Sequence, residues 1–268
     1  MEPVRFTNTE LPDIIELRNV SQSYDGGKTF VLKDFNLLIE DKPNAGQFVV
    51  ILGVSGSGKS TVLRYISGLQ EPTGGDVLLH GKPREKEASV SMVFQQYSSM
   101  PWFTVLENVM LPLTYNGVPE KEAREKARQM IEVVGLAGHE RKFAKYPLLS
   151  GGQLQRVAIA RSLIANPEII LMDEPFGALD TRTRFQMQQF LASLWLRLQS
   201  TIVFVTHDIA EAVFLGDDIY LMRSNPGQIV GYFHVDLPPE RNKLTKRDPR
   251  FIELVNTVSD AIEAVAAV

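Results

Sequence analysis

The chain has 268 residues, 44% of them hydrophobic and 22% charged, and its 32 acidic and 28 basic residues leave a formal net charge of -4. This length and composition allow a substantial core, and they favour one large domain with an inserted lobe. Acidic and basic residues are interspersed without a basic stripe, which disfavours binding to DNA or RNA, and the absence of cysteine excludes disulfide and thiol chemistry.

Residues 1–13 are predicted to form an N-terminal tail. They carry four charged residues and two prolines, and they lack the apolar stretch of a secretory signal. We therefore expect the chain to stay in the cytoplasm. The longest apolar runs of the whole sequence are strand-sized, whereas a membrane-spanning helix needs ~20 apolar residues. The sequence predicts no membrane span.

The early part of the chain predicts a largely antiparallel β region. Ile14–Val20 and Phe35–Ile39 alternate apolar and polar residues as half-buried strands do, and Val77–Leu79 leads into a turn at Gly81. A second group of runs is almost wholly apolar and rich in Val and Ile, which is typical of parallel strands buried on both faces. These runs are Phe48–Leu52, Ile169–Met172 and Thr201–Val205. Together the two groups predict an α/β core with an antiparallel β subdomain.

A glycine-rich loop follows Phe48–Leu52 and leads into the helical pattern Thr61–Leu69. Its sequence, Gly-Val-Ser-Gly-Ser-Gly-Lys-Ser, fits the P-loop pattern G-x-x-x-x-G-K-[ST], whose backbone amides converge on phosphate. We expect Lys59 to contact the β- and γ-phosphates, Ser60 to bind Mg²⁺ and Thr61 to lie at the α-phosphate. A turn without a ligand is the alternative. The predicted nucleotide-binding residues of the loop are Gly53, Ser55, Gly56, Ser57, Gly58, Lys59, Ser60 and Thr61.

Between residues 96 and 166 the pattern is helical. Pro119–Val134 presents small and apolar residues on one face, and Gly152–Ala165 forms a second such pattern that Asn166-Pro167 ends. We interpret this stretch as a helical subdomain inserted into the α/β core. Two further amphipathic helices are predicted at Arg184–Leu198 and Phe251–Ala267, and the charged stretch from Pro238 to Pro249 is predicted to be a linker.

The sequence Leu149-Ser150-Gly151-Gly152-Gln153 identifies a family. It is the signature of the ATP-binding cassette, and P-loop proteins in general do not share it. With the P-loop upstream, the chain resembles an ABC transporter ATPase over residues 14–239. The resemblance implies a nucleotide-binding domain at 14–237, a linker and terminal helix at 238–268, ATP as the nucleotide and Mg²⁺ as its cation. Two stretches, Met100–Val109 and Met172–Arg184, resemble importers of the nitrate, sulfonate and taurine branch.

The resemblance also assigns roles to residues outside the P-loop. Asp173 and Glu174 end an apolar strand, so that Asp173 suits Mg²⁺ and Glu174 suits polarisation of the attacking water, although such a pair more often flanks a helix N-terminus. Gln95 resembles the glutamine that reaches Mg²⁺ or water, with Gln96 as the neighbouring alternative. His207 resembles the histidine that contacts the γ-phosphate. Tyr24 lies where the family stacks a ring on adenine, or else it packs at a strand end.

The signature implies that one copy of the chain is not sufficient. In family members the helix that begins near Ser150, Gly151, Gly152 and Gln153 binds the γ-phosphate held by another subunit, because helix N-termini attract anions. Asp180 resembles the loop that crosses the same seam. ATP would thus close two copies head to tail, and hydrolysis would weaken that closure.

The partners implied by the resemblance are a second copy or homologous ATPase, transmembrane permease subunits and, indirectly, an extracytoplasmic solute-binding protein. The chain would lie peripherally on the cytoplasmic face of the inner or plasma membrane. The Met100–Trp102 cluster either docks the permease or packs inside the helical lobe.

Other functions compete with import. A soluble ABC ATPase without a membrane partner and a lipid transporter are the alternatives, although the paired cassettes or long coiled coil usual in soluble members are absent from the sequence. A P-loop GTPase would need Asn-Lys-x-Asp, which Asn242-Lys243-Leu244-Thr245 does not match.

Overall fold

The computed structural model describes residues 13–40, 46–85, 90–96, 98–198 and 200–266. Residues 1–12, where the N-terminal tail is predicted, lie outside the described residues. The chain divides into two compact units: residues 1–88 with 188–268 form the first unit, and residues 89–187 form the second unit. The boundaries predicted from the sequence, 14–237 for the nucleotide-binding domain and about 96–166 for its helical subdomain, stay predictions.

The described elements run in chain order as follows: β1 (Asp13–Gln22), β2 (Leu32–Glu40), β3 (Phe48–Gly53), α1 (Lys59–Ser67), β4 (Gly74–Leu79), β5 (Lys82–Pro83), β6 (Val90–Val93), α2 (Val105–Tyr115), α3 (Glu120–Val133), α4 (Gly151–Leu163), β7 (Ile169–Asp173), α5 (Thr181–Trp195), β8 (Thr201–Thr206), α6 (Ile209–Leu215), β9 (Asp218–Arg223), β10 (Gln228–His234) and α7 (Pro249–Ala266). A 3-10 helix at Thr245–Arg247 precedes α7.

The first unit contains the predicted antiparallel sheet, in the order β2-β1-β4-β5. β1 pairs antiparallel with both β2 and β4, with Leu17 opposite Leu37 and Val77. The alternating residues predicted to be half-buried are the ones that face the core: Ile15, Leu17 and Val20 on β1, and Phe35, Leu37 and Ile39 on β2 are all buried. The period-2 pattern therefore predicted these strands correctly.

The centre of the first unit is β3, which pairs in parallel with β8 on one side and β9 on the other. β10 pairs antiparallel with β9. Every residue of β3 and of β8 is buried, and α1 and α6 pack on β3. This burial confirms the prediction of parallel strands covered on both faces, which explains why the runs show no alternation.

The second unit combines a parallel pair of strands, β6 and β7, with the contacting helices α2, α3 and α4. α3 turns Ala123, Ala127 and Ile131 into the unit, and Gly135, with a φ of 69°, follows its end. α4 buries Leu154, Val157 and Ala158. The predicted helices are confirmed, with boundaries shifted by one or two residues.

The helices α1, α5 and α7 begin two or three residues earlier than their apolar patterns predict, and residues at the cap position set the starts of α1 and α5. α1 begins at Lys59 rather than Thr61, directly after Gly58 at a φ of 96°. α5 begins at Thr181 rather than Arg184, because the Asp180 side chain accepts hydrogen bonds from the amides of Arg182 and Thr183 at 3.1 and 3.0 Å.

The segment before α7, predicted to be a linker, holds packed residues. Arg241 is buried, and its Nε donates to the backbone oxygen of Phe214 at 3.1 Å. Thr245 is also buried, and Phe251, Leu254 and Val258 form the buried face of α7, which packs against α6. Within the described residues, no helix is long and apolar enough to cross a membrane.

Candidate nucleotide-binding site

The P-loop of the first unit connects the end of β3 at Gly53 to the start of α1 at Lys59. Gly56 and Gly58 have φ values of 81° and 96°, a left-handed region that glycine enters without strain. A Cβ on Gly58 would lie 2.7 Å from Leu32 Cδ2, so a larger residue would also have to displace this leucine side chain. The glycines in the sequence pattern are therefore needed for the shape of the loop itself.

Lys59 is only 4% exposed, and its Nζ donates to the backbone oxygens of Gly53 and Val54 at 2.8 and 2.9 Å. Its ammonium group is thus drawn back over the loop rather than into solvent. The first turn of α1, Lys-Ser-Thr-Val, contains no acidic residue. The positive charge of Lys59 therefore adds to the positive end of the helix dipole. This combination of helix N-terminus and lysine fits a phosphate group.

Ser60 and Thr61 follow Lys59 in the first turn of α1, Ser60 half-buried and Thr61 buried, and Ser57 in the loop is fully buried. Ser55 is exposed. A hydroxyl oxygen such as that of Ser60 is a ligand type that Mg²⁺ accepts. The donors present in the loop therefore fit a triphosphate accompanied by a divalent cation.

Tyr24, also in the first unit, lies on the surface with 66% of its area exposed. Its hydroxyl accepts a hydrogen bond from Gln70 Nε2 at 3.0 Å. The next residue, Asp25, accepts from the amides of Lys28 and Thr29 at 2.9 Å each. Hydrogen bonds from the hydroxyl and amide of Thr29, together with those from Ser23 and Lys28, lower the pKa of Asp25 to about 2. Tyr24 is therefore an exposed ring next to an ordered turn, which suits stacking on a flat ligand.

His207 follows β8 at the same sheet edge as the P-loop. β3 and β8 are parallel with Leu52 opposite Thr206, so the next residues, Gly53 and His207, leave neighbouring strands at the same end. His207 is exposed, and Asp208 caps α6 by accepting from the amide of Glu211 at 2.9 Å. The structure thus places the predicted γ-phosphate histidine beside the start of the P-loop.

The second unit shows a similar arrangement. β6 and β7 are parallel with Val93 opposite Met172, so that Gln95 and Asp173 follow at one sheet edge. Gln95 Nε2 donates to Glu174 Oε2 at 3.5 Å. Both Asp173 and Glu174 are half-buried, and Gln96 is exposed. The glutamine predicted by order of motifs is the one that reaches the candidate general base.

Glu174 has an unusual backbone, with a φ of 42°. Few residues other than glycine occupy this left-handed region, and those that do often lie at functional sites. The turn is closed by the amide of Gly177, which donates to the backbone oxygen of Glu174 at 3.0 Å. The chain thereby turns sharply at the end of β7 and presents the carboxylate at the sheet edge.

The signature residues of the second unit form the start of α4. Ser150 is its N-cap, and Ser150 and Gln153 form a reciprocal capping box, with Ser150 N to Gln153 Oε1 at 2.9 Å and Gln153 N to Ser150 Oγ at 3.3 Å. The first turn, Gly-Gly-Gln-Leu, is uncharged. A Cβ on Gly152 would lie 2.9 Å from Thr183 Cγ2, so Gly152 allows α4 to approach α5 closely.

Asp180 is exposed at the start of α5. Its side chain caps this helix, as described above. The hydroxyl and amide of Thr183, its main hydrogen-bond donors, hold the pKa of its carboxyl below the ordinary value. Arg184 reinforces the same loop by donating to the backbone oxygens of Phe176 and Leu179 at 3.3 and 3.1 Å. Signature and Asp180 loop are thus both rigid, and Gly152 and Thr183 bring them into contact within the second unit.

Two buried polar residues support these loops without being predicted from the sequence. Glu211 forms hydrogen bonds with the residues on both sides of His207, Thr206 and Asp208. Asn108 forms hydrogen bonds with the loop that carries Trp102. A signal for Glu211 exists in Asp208-Ile209-Ala210-Glu211, which has the spacing of a helix cap. For Asn108 the signal is weaker: a polar residue on an otherwise apolar helix face.

The fold and the P-loop define a P-loop nucleotide-binding protein of the α/β class. The family model of the ABC transporters matches residues 37–177, more than half of the chain. The chain is 43% identical over 247 residues to the taurine import ATP-binding protein of Pseudomonas entomophila, covering 90% of this chain and 93% of that protein. It is 40% identical over 257 residues to the nitrate import ATP-binding protein of Synechocystis sp., covering 92% of this chain and 94% of that protein.

Solved structures agree with this grouping. The dimeric, ADP- and Pi-bound post-hydrolysis structure of the cassette MJ0796 matches with a TM-score of 0.68 at 35% identity, over 84% of this chain and all of that one. CbiO1 from Clostridium perfringens, part of the ABC transporter complex cbiONQ, matches with a TM-score of 0.73 at 25% identity over 96% of this chain. The chain therefore belongs to the ABC transporter ATP-binding family, whose members bind and hydrolyse ATP.

Proposed function

We propose that this chain is the ATP-hydrolysing subunit of an importer of small solutes, and that two copies close head to tail around ATP. The observation that carries the proposal is the presence in one chain of two helix N-termini without acidic residues in their first turns, an arrangement that favours anions. One is the P-loop end of α1 at Lys59, and the other is the signature end of α4 at Ser150. Two such ends per chain suit two copies that each complete the site of the other.

In this proposal the phosphates are bound by the P-loop amides and by Lys59, while Tyr24 stacks on the adenine. Ser60, Gln95 and Asp173 would supply the oxygen ligands for Mg²⁺, which would neutralise phosphate charge when it is bound. Glu174 polarises the attacking water, and the hydrogen bond from Gln95 to Glu174 supports the orientation of that carboxylate. His207 contacts the γ-phosphate.

The signature completes the site in the dimer. Ser150, Gly151, Gly152 and Gln153 of one copy would face the γ-phosphate bound by its partner, with Asp180 lining the seam. The uncharged first turn and the capping box leave an ordered set of amides at this end of α4. Hydrolysis removes the γ-phosphate that joins the two copies, which weakens the closure.

The relatives support a proposal for the transported solute and the partners. Two of them are import ATP-binding proteins for taurine and nitrate, small solutes that each carry an oxyanion group, so we propose a small solute of the nitrate, sulfonate or taurine type. Permease subunits and a solute-binding protein would complete the importer, with this chain on the cytoplasmic face of the membrane. Trp102 supports a permease contact: its side chain is 65% exposed, so it does not pack inside the unit.

The dimer is the test of this function. We expect Glu174→Gln to retain ATP binding because the phosphate contacts remain, while turnover falls by about 10²–10⁴-fold through loss of the general base. With hydrolysis blocked, excess ATP should convert the purified chain from monomer to dimer, as measured by light scattering.

Adding Ser150→Arg to that variant should abolish the dimer, because a bulky side chain replaces the cap at the signature. Ser193→Arg, which places the same side chain at an exposed position of α5, is the matched control. If the Ser150→Arg double variant dimerises as well as the control, the signature does not bind phosphate across a dimer seam. Rapid hydrolysis by Glu174→Gln would exclude Glu174 as the general base.

A further inference from the structure

A network of buried polar side chains lies behind His207 in the first unit. Thr206, Gln188 and Glu211 are only 2%, 2% and 5% exposed. They come from the end of β8, from α5 and from α6. Buried polar groups of this kind are costly unless each finds a hydrogen-bond partner, so their arrangement is informative.

The first part of this network is a closed ring of hydrogen bonds among the neighbours of His207. In an ordinary capping box Glu211 would reach back to the amide of Asp208. Here Thr206 stands between them: the amide of Asp208 donates to Thr206 Oγ1 at 3.1 Å, and Thr206 Oγ1 donates to Glu211 Oε2 at 2.5 Å. The amide of Glu211 donates to Asp208 Oδ1 at 2.9 Å. The ring thereby fixes both chain neighbours of His207.

The second part leads to the C-terminal segment. The other carboxylate oxygen, Glu211 Oε1, accepts from Gln188 Nε2 at 2.9 Å, and Gln188 Oε1 accepts from Lys246 Nζ at 3.2 Å. Lys246 belongs to the 3-10 helix that precedes α7 and lies 5.3 Å from the ring centroid of Phe214. A series of hydrogen bonds thus runs from the Lys246 ammonium group to the backbone beside His207.

Lys246 and Glu211 together determine which way the Gln188 amide points. A glutamine amide has a donor end and an acceptor end, and only the donor end can satisfy the Glu211 carboxylate. Because an ammonium group has three donors and no acceptor, Lys246 holds the oxygen of Gln188 on its own side and keeps the NH₂ group on Glu211. Without Lys246 the Gln188 oxygen loses this donor, so that only the hydrogen bond to Glu211 still orients the amide and the carboxylate of Glu211 is held less firmly.

We propose that Lys246 is a positioning residue for ATP hydrolysis, acting through Gln188 and Glu211 on His207. The inference rests on the proposed function, because it needs His207 at the γ-phosphate. It makes the segment around residues 241–248 a point of control: a change that withdraws Lys246 slows hydrolysis without touching the nucleotide.

The test compares Lys246→Met, which keeps the apolar stem but removes the ammonium group, with Lys243→Met at an exposed lysine of the same segment. We expect kcat of Lys246→Met to fall about five- to tenfold, less than the ~100-fold that a 1 Å displacement can cost. KM for ATP should stay unchanged, the melting temperature should fall by no more than a few degrees because the buried Gln188 oxygen loses one donor, and Lys243→Met should behave as the unmodified chain.

A second arm uses His207→Ala, with single-turnover hydrolysis measured for both single variants and for the pair. If Lys246 acts through His207, adding Lys246→Met to His207→Ala causes no further loss. Multiplicative losses, an unchanged kcat in Lys246→Met, or a fall in kcat matched by a large loss of melting temperature would each overturn the proposal. Full turnover by His207→Ala would instead remove His207 from the proposed site, and the role of Lys246 with it.

Discussion

The loop that carries Trp102 depends on one buried side chain, so Asn108→Ala should destabilise the second unit. Asn108 is fully buried on α2, and its amide makes four hydrogen bonds to the loop. Oδ1 accepts from the amide of Met100 at 2.7 Å, and Nδ2 donates to the backbone oxygens of Met100, Phe103 and Thr104 at 3.0, 3.2 and 2.9 Å.

The loss in free energy of unfolding can be estimated from the hydrogen bonds that each partner of Asn108 keeps after the change. The three carbonyl oxygens retain other donors, namely the amides of Phe103, Ala144 and Asn108 itself. The amide of Met100 loses the acceptor described above, and an unsatisfied donor costs about 1–3 kcal/mol. With a few tenths of a kcal/mol for each weakened carbonyl, the total is about 3 kcal/mol. At about 2–4 °C per kcal/mol, the melting temperature should fall by roughly 6–12 °C.

The assay is thermal unfolding followed by circular dichroism, with Asn116→Ala as the control. Asn116 is exposed at the C-terminal end of the same helix, so its replacement should change stability by less than about 0.5 kcal/mol. Limited proteolysis should also cut residues 98–104 of Asn108→Ala sooner than those of the control. Equal melting temperatures for the two variants would refute the assignment of Asn108 as the residue that holds this loop.

Two further outcomes are expected. Lys59→Ala should weaken ATP affinity by a factor of ten or more, because a charge-assisted contact to phosphate is worth about 1.5–3 kcal/mol, and unchanged affinity in equilibrium titration would contradict the P-loop assignment. Trp102→Ala should leave melting temperature and basal ATPase nearly unchanged, because the ring is exposed, and under the proposed permease contact it should reduce co-purification with the permease. Tyr115→Ala, at a residue that is 84% exposed in the same unit, should leave co-purification intact.

Patterns that belong to a short stretch of chain could be predicted from the sequence. The P-loop, the alternation in β1 and β2 and the apolar runs of β3, β7 and β8 each have a local cause, and all were confirmed as strands or as the strand-to-helix turn. The family signature also placed Ser150 at a helix N-terminus. In these cases the residues that define the pattern are the ones that make the contacts.

Features that depend on distant partners could not be predicted. Gln188 and Lys246 are far apart in sequence, and only packing brings them together. Periodicity could not decide whether Trp102 is buried, because loops have no repeating face, and the structure places it on the surface. The starts of α1 and α5 shifted because Gly58 and Asp180 cap them. The roles of individual site residues and the domain boundaries stay predictions.

The left-handed backbone of Glu174 has a consequence for how this protein can change over time. Glycine or asparagine would occupy a φ of 42° more easily than glutamate, so stability alone favours their appearance at this position. With Glu174 in the proposed role of general base, selection for turnover would keep glutamate there. A lineage that keeps the cassette as a nucleotide-dependent clamp, with hydrolysis no longer under selection, would gain stability by losing this residue first. Catalytic and degenerate copies of such a cassette would therefore diverge earliest at the end of β7.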